Sequence, residues 1–164
     1  MALRGGDRDR ALLESIQQLV VADLTTRGWL DVGRQHAPLN FKQGFPDEKE
    51  QVPPNTVAFS FGDTRSIGGE LGSRFSELAV AVFIDMFAES EAVALGVIGD
   101  IYAYLQETPT LPVRDYGQVG NPIDFYVEVD PQSVEKRRSA RPTNPWQRHW
   151  WLCAFEVLDE RTNA

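Results

Sequence analysis

Leu12, Leu13, Ile16, Leu19, Val20 and Leu24 recur at spacings of three and four, which is the apolar stripe of an amphipathic helix. The pattern predicts a helix over residues 7–27, with Asp7 and Asp9 at its electropositive start and Gly28 as its stop. From Trp29 to Asn55 the period dissolves among Pro38, Gly44, Pro46, Pro53 and Pro54. A long loop is expected there, with one short strand near Leu39–Phe41.

Alternation takes over next. Val57, Phe59 and Phe61 alternate with the small Ala58 and Ser60. In residues 76–87, Leu78, Val80, Val82, Ile84 and Met86 alternate with residues that are themselves mostly apolar. The second run therefore reads as a central strand covered on both sides. Between the two, the glycine-rich stretch 62–74 predicts an extended or mobile hairpin arm carrying Ile67 and Leu71. A second helix is expected over 89–106, capped by Ser90 and striped by Val93, Val97, Ile98, Ile101, Tyr104 and Leu105. Pro109 and Pro112 end it. Strands are then expected near 113–116, over 123–129, and over 146–159, where Trp151, Cys153, Phe155 and Val157 share one face.

The resulting order, α-β-β-α-β-β(-β), predicts a single α+β domain over residues 1–164. Its sheet is expected to be mixed or antiparallel with four to five strands and two helices packed on one face. Flexible arms are expected near 29–55, 62–76 and 130–145.

Composition narrows the chemistry. The 164-residue chain carries a net charge of −8, one cysteine and two histidines, which excludes a disulfide framework and a multi-cysteine zinc site. His149 and Cys153 share a face of the last strand but stand roughly 13 Å apart at ~3.3 Å per residue, too far to act as a pair. Asp124, Glu128 and Asp130 alternate without the turn chemistry of a calcium loop. The glycines of 62–74 lack the Lys-Ser/Thr of a phosphate loop. No catalytic residue, metal site or cofactor is therefore expected. The N-terminus has no apolar core for a signal peptide and no window approaches a membrane span, so a cytosolic protein, or part of a particle assembled in a cytosol, is expected.

Charge is sorted along the chain. Residues 77–135 hold eleven acidic side chains and one basic, Arg114, whereas Lys136, Arg137, Arg138, Arg141 and Arg148 follow with no acid before Glu156. The cations and the neighbouring tryptophans fit single-stranded nucleic acid. An acidic protein partner fits the overall acidity better, with Trp150 beside Arg148 as an interface anchor.

The Pro-Pro-Asn-Thr entry into the first long strand (53–56), the glycine-containing arm, the passage FIDMFAESEAVALGVIGDIYAYL (83–105) and the closing RHWWLCAFEVLDE (148–160) together resemble tail terminator proteins of long-tailed bacteriophages. The resemblance lies in layout rather than in an invariant motif. It implies a structural virion protein without catalysis or cofactor: a homo-oligomeric ring, typically hexameric, that caps the tail tube, ends its polymerisation and offers a surface for head joining. The major tail tube protein and the head-completion or neck protein are its implied partners, and DNA passes through without specific binding. On that footing Ile67, Leu71, Lys136, Arg137, Arg138, Arg141, Arg148 and Trp150 are expected to contact neighbours or the tube. Asp124, Glu128 and Asp130 are expected to line the channel, where carboxylates repel phosphates. Another neck or head–tail connector component, or a nucleic-acid-binding domain, are the alternatives.

Overall fold

The computed structural model describes residues 3–47, 50–68, 75–138 and 150–162, with the backbone alone at 75, 76, 150, 161 and 162. Helix α1 spans Gly5–Thr26. It ends as its sequence predicts: Gly28 takes φ +86°, its N–H donates to Thr25 O, and the Trp29 N–H donates to Leu24 O, both at 3.0 Å. This pair of reversed bonds closes the last turn, and a left-handed residue at that place favours glycine. Helix α2 spans Glu91–Glu107, and the Ser90 hydroxyl accepts from the Val93 N–H at 3.3 Å as its N-cap.

Among the described residues seven strands form one mixed sheet: β1 (Asn40–Gln43), β2 (Thr56–Gly68), β3 (Phe75–Phe87), β4 (Thr110–Arg114), β5 (Ile123–Val129), β6 (Glu135–Arg138) and β7 (Trp150–Thr162). The spatial order is β1-β2-β3-β7-β5-β4, with β6 also on β7. Among the described residues only β1 and β2 pair in parallel. The α+β class and the single domain match the reading of the sequence, but the strand count exceeds the four to five expected. β1 is the short strand expected near Leu39–Phe41, outside the count of four to five, and β6 is the strand not expected: its four residues are too few to show a period, and Glu-Lys-Arg-Arg has no apolar member to mark a strand.

Both helices pack on the same face, α1 against β2 and β4, and α2 against β3, β6 and β7. Their stripes, with Leu12, Ile16, Val20, Leu24, Val97 and Ile98 all buried, meet the inward row of Phe59, Val80, Val82, Ile84, Cys153 and Phe155. The opposite face is covered at one end by the segment after β1: Val52, Ala58 and Phe87 form a second apolar cluster, and Phe45 meets Phe87 edge-on with ring centres 5.7 Å apart. Part of the stretch 29–55, expected as an arm, is thus tied to the body. Asn55 reinforces this by donating to Ala37 O at 2.9 Å and accepting from the Glu89 N–H at 3.0 Å.

The two open ends of the sheet differ. On β4, Pro112 has no N–H to offer, and the Arg114 N–H is taken by the buried Ser15 hydroxyl of α1 at 2.9 Å. That edge is closed against further pairing. On β2, β1 covers only Thr56–Phe59, and the strand runs on to Gly68.

Candidate functional site

The described residues hold no group of three or more histidine, cysteine or carboxylate side chains placed to bind a metal ion. Cys153 is buried beneath the helices, and burial pushes its thiol up to about 12. A thiol so placed stays protonated and is a poor nucleophile. His149 lies outside the described residues. A cleft of about 570 Å³ lies between the start of α1 and the β4–β5 turn, lined by Asp7, Arg10, Glu14, Asp115 and Tyr116 among others. Its charges are mostly committed: Arg10 pairs with Asp7, Glu14 accepts from Gln43, and Asp115 receives the Gly117 N–H and the Gln118 amide. No nucleophile stands beside a base in it.

Strand β2 changes character along its length: Thr56 to Phe59 are buried, whereas Asp63 to Ile67 are exposed at the sheet edge, on a stretch paired with Glu77–Val80 of β3, which pair on to β7. At ~3.3 Å per residue, Gly62 to Gly68 carry β2 about 20 Å. Irregular pairing between Phe61 and Thr64, and again between Ser66 and Gly68, bends the arm. At its root the Phe83 ring lies across Gly62, where an added methyl group would stand 2.3 Å from the ring edge. Ile67 is among the exposed large apolar residues. Leu71 lies outside the described residues.

The basic residues of 136–148 divide. Lys136, Arg137 and Arg138 are exposed on β6 and paired in register with β7, so they belong to the sheet. Register puts Lys136 beside Cys153 and Arg138 beside Trp151, on the helix side. There Arg138 reaches Glu91 at 3.5 Å and the Lys136 ammonium stands 5.4 Å from the Tyr102 ring centre. Arg137 points to the other face and meets Glu135 at 3.6 Å. Arg137 and Arg138, expected to seek an acidic neighbour, thus already lean on acids of their own chain, although exposed pairs of this kind contribute little. Arg141 and Arg148 lie outside the described residues, as does the side chain of Trp150, whose backbone pairs with Phe87.

The three acids of the channel-lining expectation sit in three environments. Asp124 is half-buried and accepts from the Leu3 N–H at 3.1 Å. Glu128 is exposed beside Leu158 on the face away from the helices. Asp130 lies past the end of β5, where its carboxylate accepts from the Gln132 N–H at 3.0 Å to form the turn into β6. They do not form one free row. Two acids the sequence reading missed stand on the same face as Glu128: Glu77 and Glu160 are direct cross-strand partners on β3 and β7. Like charges opposed across a ladder destabilise it. Only the register brings them together, since 83 positions separate them in sequence. Glu156, also on that face, is paired with Arg65 of the arm at 3.1 Å.

No helix among the described residues is long and apolar enough to cross a membrane. No protein-family model matches the chain, and neither does any curated protein sequence.

Proposed function

We propose that this chain is a structural virion protein, a tail terminator of a long-tailed bacteriophage, which forms a ring on the tail tube, ends tube polymerisation and presents the joining surface for the head. The observation that carries the reading is the second half of β2, where Asp63 to Ile67 are exposed at the edge of the sheet on the way into the β2–β3 hairpin. An exposed edge strand with the apolar Ile67 near its end suits contact with a neighbouring subunit or a tube. Of the acids expected to line the channel Glu128 alone stands free on the sheet face away from the helices, and Glu77 and Glu160 share that face, where in a channel they would keep DNA from adhering. The reading gives the protein no catalysis and no cofactor. Its partners are copies of itself, the tube protein and the neck protein, and its place is the virion after assembly in the host cytoplasm.

Electron microscopy of the purified protein, alone and with tail tubes, tests this directly. Rings seated on tube ends are expected; absence of rings in both states overturns the reading. Overlong tails in a null phage support a terminator, whereas tails of normal length beside unattached heads support another neck component. Salt-dependent DNA affinity would favour the nucleic-acid-binding alternative. Deletion of 63–74 is expected to leave the domain folded and to give overlong or headless tails; normal virions would remove the arm from the function.

A further inference from the structure

Strand β5 has seven residues, yet only Glu128 and Val129 pair with β7, opposite Leu158 and Val157. Continued in the same register, Tyr126 would stand opposite Glu160 and Asp124 opposite Thr162. The backbone of β7 is set for that continuation. Glu156 O already accepts from Asp130 N at 3.0 Å, and residues two and four further along a strand direct their carbonyls to the same side.

The start of α1 occupies the seam instead. The Arg8 guanidinium donates through Nη2 to Asp159 Oδ1 at 2.6 Å and through Nε to Asp159 Oδ2 at 3.2 Å. Its Nη2 also donates to Glu160 O at 3.1 Å, the carbonyl that a longer β5 ladder would claim. The same guanidinium lies 3.5 Å from the ring centre of Phe125 on β5. Ahead of the helix, the Leu3 N–H donates to the Asp124 carboxylate. The side chains of Arg8 and Asp159 are 12% and 0% exposed, so this planar, two-pronged pair is built into the interior between two strands.

We propose that Arg8 is a wedge that holds β5 off β7, so that the position of the β4–β5 hairpin depends on the first turns of α1. A buried ion pair often adds little stability over an apolar replacement, and in some proteins such a pair selects one arrangement among several, the role assigned to Arg8 and Asp159 here. Here the two arrangements are explicit. With Arg8 in the seam, Glu160 O is satisfied by the guanidinium and β5 diverges after Glu128. With Arg8 withdrawn, Tyr126 and Glu160 exchange backbone hydrogen bonds and the hairpin swings toward β7. The device is independent of the proposed tail function.

Amide hydrogen exchange by NMR on the full chain tests it, comparing the natural protein with the double variant Arg8→Leu/Asp159→Leu, which removes both charges and leaves neither buried alone. In the variant the amides of Tyr126 and Glu160 are expected to slow at least about tenfold while those of the β3–β7 ladder hold. Exchange at Tyr126 and Glu160 as fast as in the natural protein, or faster, overturns the wedge. Should the double variant fail to fold, Arg8→Lys keeps the charge but loses the planar fork. Slower exchange at Tyr126 and Glu160 then supports the wedge, and unchanged or faster exchange overturns it.

Discussion

The Trp29 indole lies in a notch left by Gly96 of α2, where a methyl group would stand 2.8 Å from the ring. Its Nε1 donates to Asp100 Oδ2 at 2.6 Å, one turn further along the same helix. Because the Trp29 N–H makes one of the reversed bonds that end α1, this one residue ties the end of the first helix to the middle of the second. Gly96→Ala raises helix propensity by about 1 kcal/mol, but overpacking of this kind costs about 1–3 kcal/mol. A net loss of about 1 kcal/mol is expected in urea denaturation; a gain would mean that the ring has room to move.

Gly62 and Phe83 form a second close contact, at the root of the arm. Gly62→Ala is expected to destabilise the fold by about 1–3 kcal/mol through the ring that already occupies the position of its methyl group. Phe83→Leu should relieve most of that loss. A double-mutant cycle reads the coupling, and additive effects would show that the ring is not the cause.

Ser15 sits in the apolar stripe of α1, fully buried, with its hydroxyl accepting from the Arg114 N–H on β4. Ser15→Ala favours the helix locally yet leaves a buried backbone donor without its partner. A loss of about 1–3 kcal/mol is expected by thermal or chemical denaturation. Ser15→Thr, which keeps the hydroxyl, should retain more of the stability than alanine does.

Burial raises the Cys153 thiol from 9.0 to about 12, so the native state holds this proton more tightly than the unfolded chain does. The associated stability is complete below about pH 9 and is lost as pH rises toward 12. Between pH 8 and 10.5 the natural protein should lose about 2 kcal/mol more than Cys153→Ala, measured by denaturant titration at each pH. Parallel loss in both proteins would contradict the assignment. Thiol reagents should modify Cys153 at pH 8 only as fast as the protein unfolds.

The elements legible in the sequence are those with enough residues to express a period. Both helices, the stop at Gly28, the Ser90 cap and the central position of β3 were predicted from spacing and end chemistry, which are local properties. β6 was not, because Glu135 to Arg138 become a strand only by pairing with the edge of β7. The surfaces divide in the same way. Exposure of Ile67 was readable from its place between glycines, whereas the meeting of Arg138 with Glu91, and of Glu77 with Glu160, depends on strand register.

By itself, then, the chain determined which residues lie on each face of each element and where most of them stop, because 3.6-residue and 2-residue periods and terminal hydrogen bonds act within a few positions. Tertiary structure decided which strands are neighbours, that β1 joins in parallel, and that β7 divides one edge between β6 and β5. It also brought Arg8 to Asp159 across 151 positions of sequence. The reason is physical: a strand's backbone groups are satisfied by another segment, and nothing in the strand's own residues specifies which one.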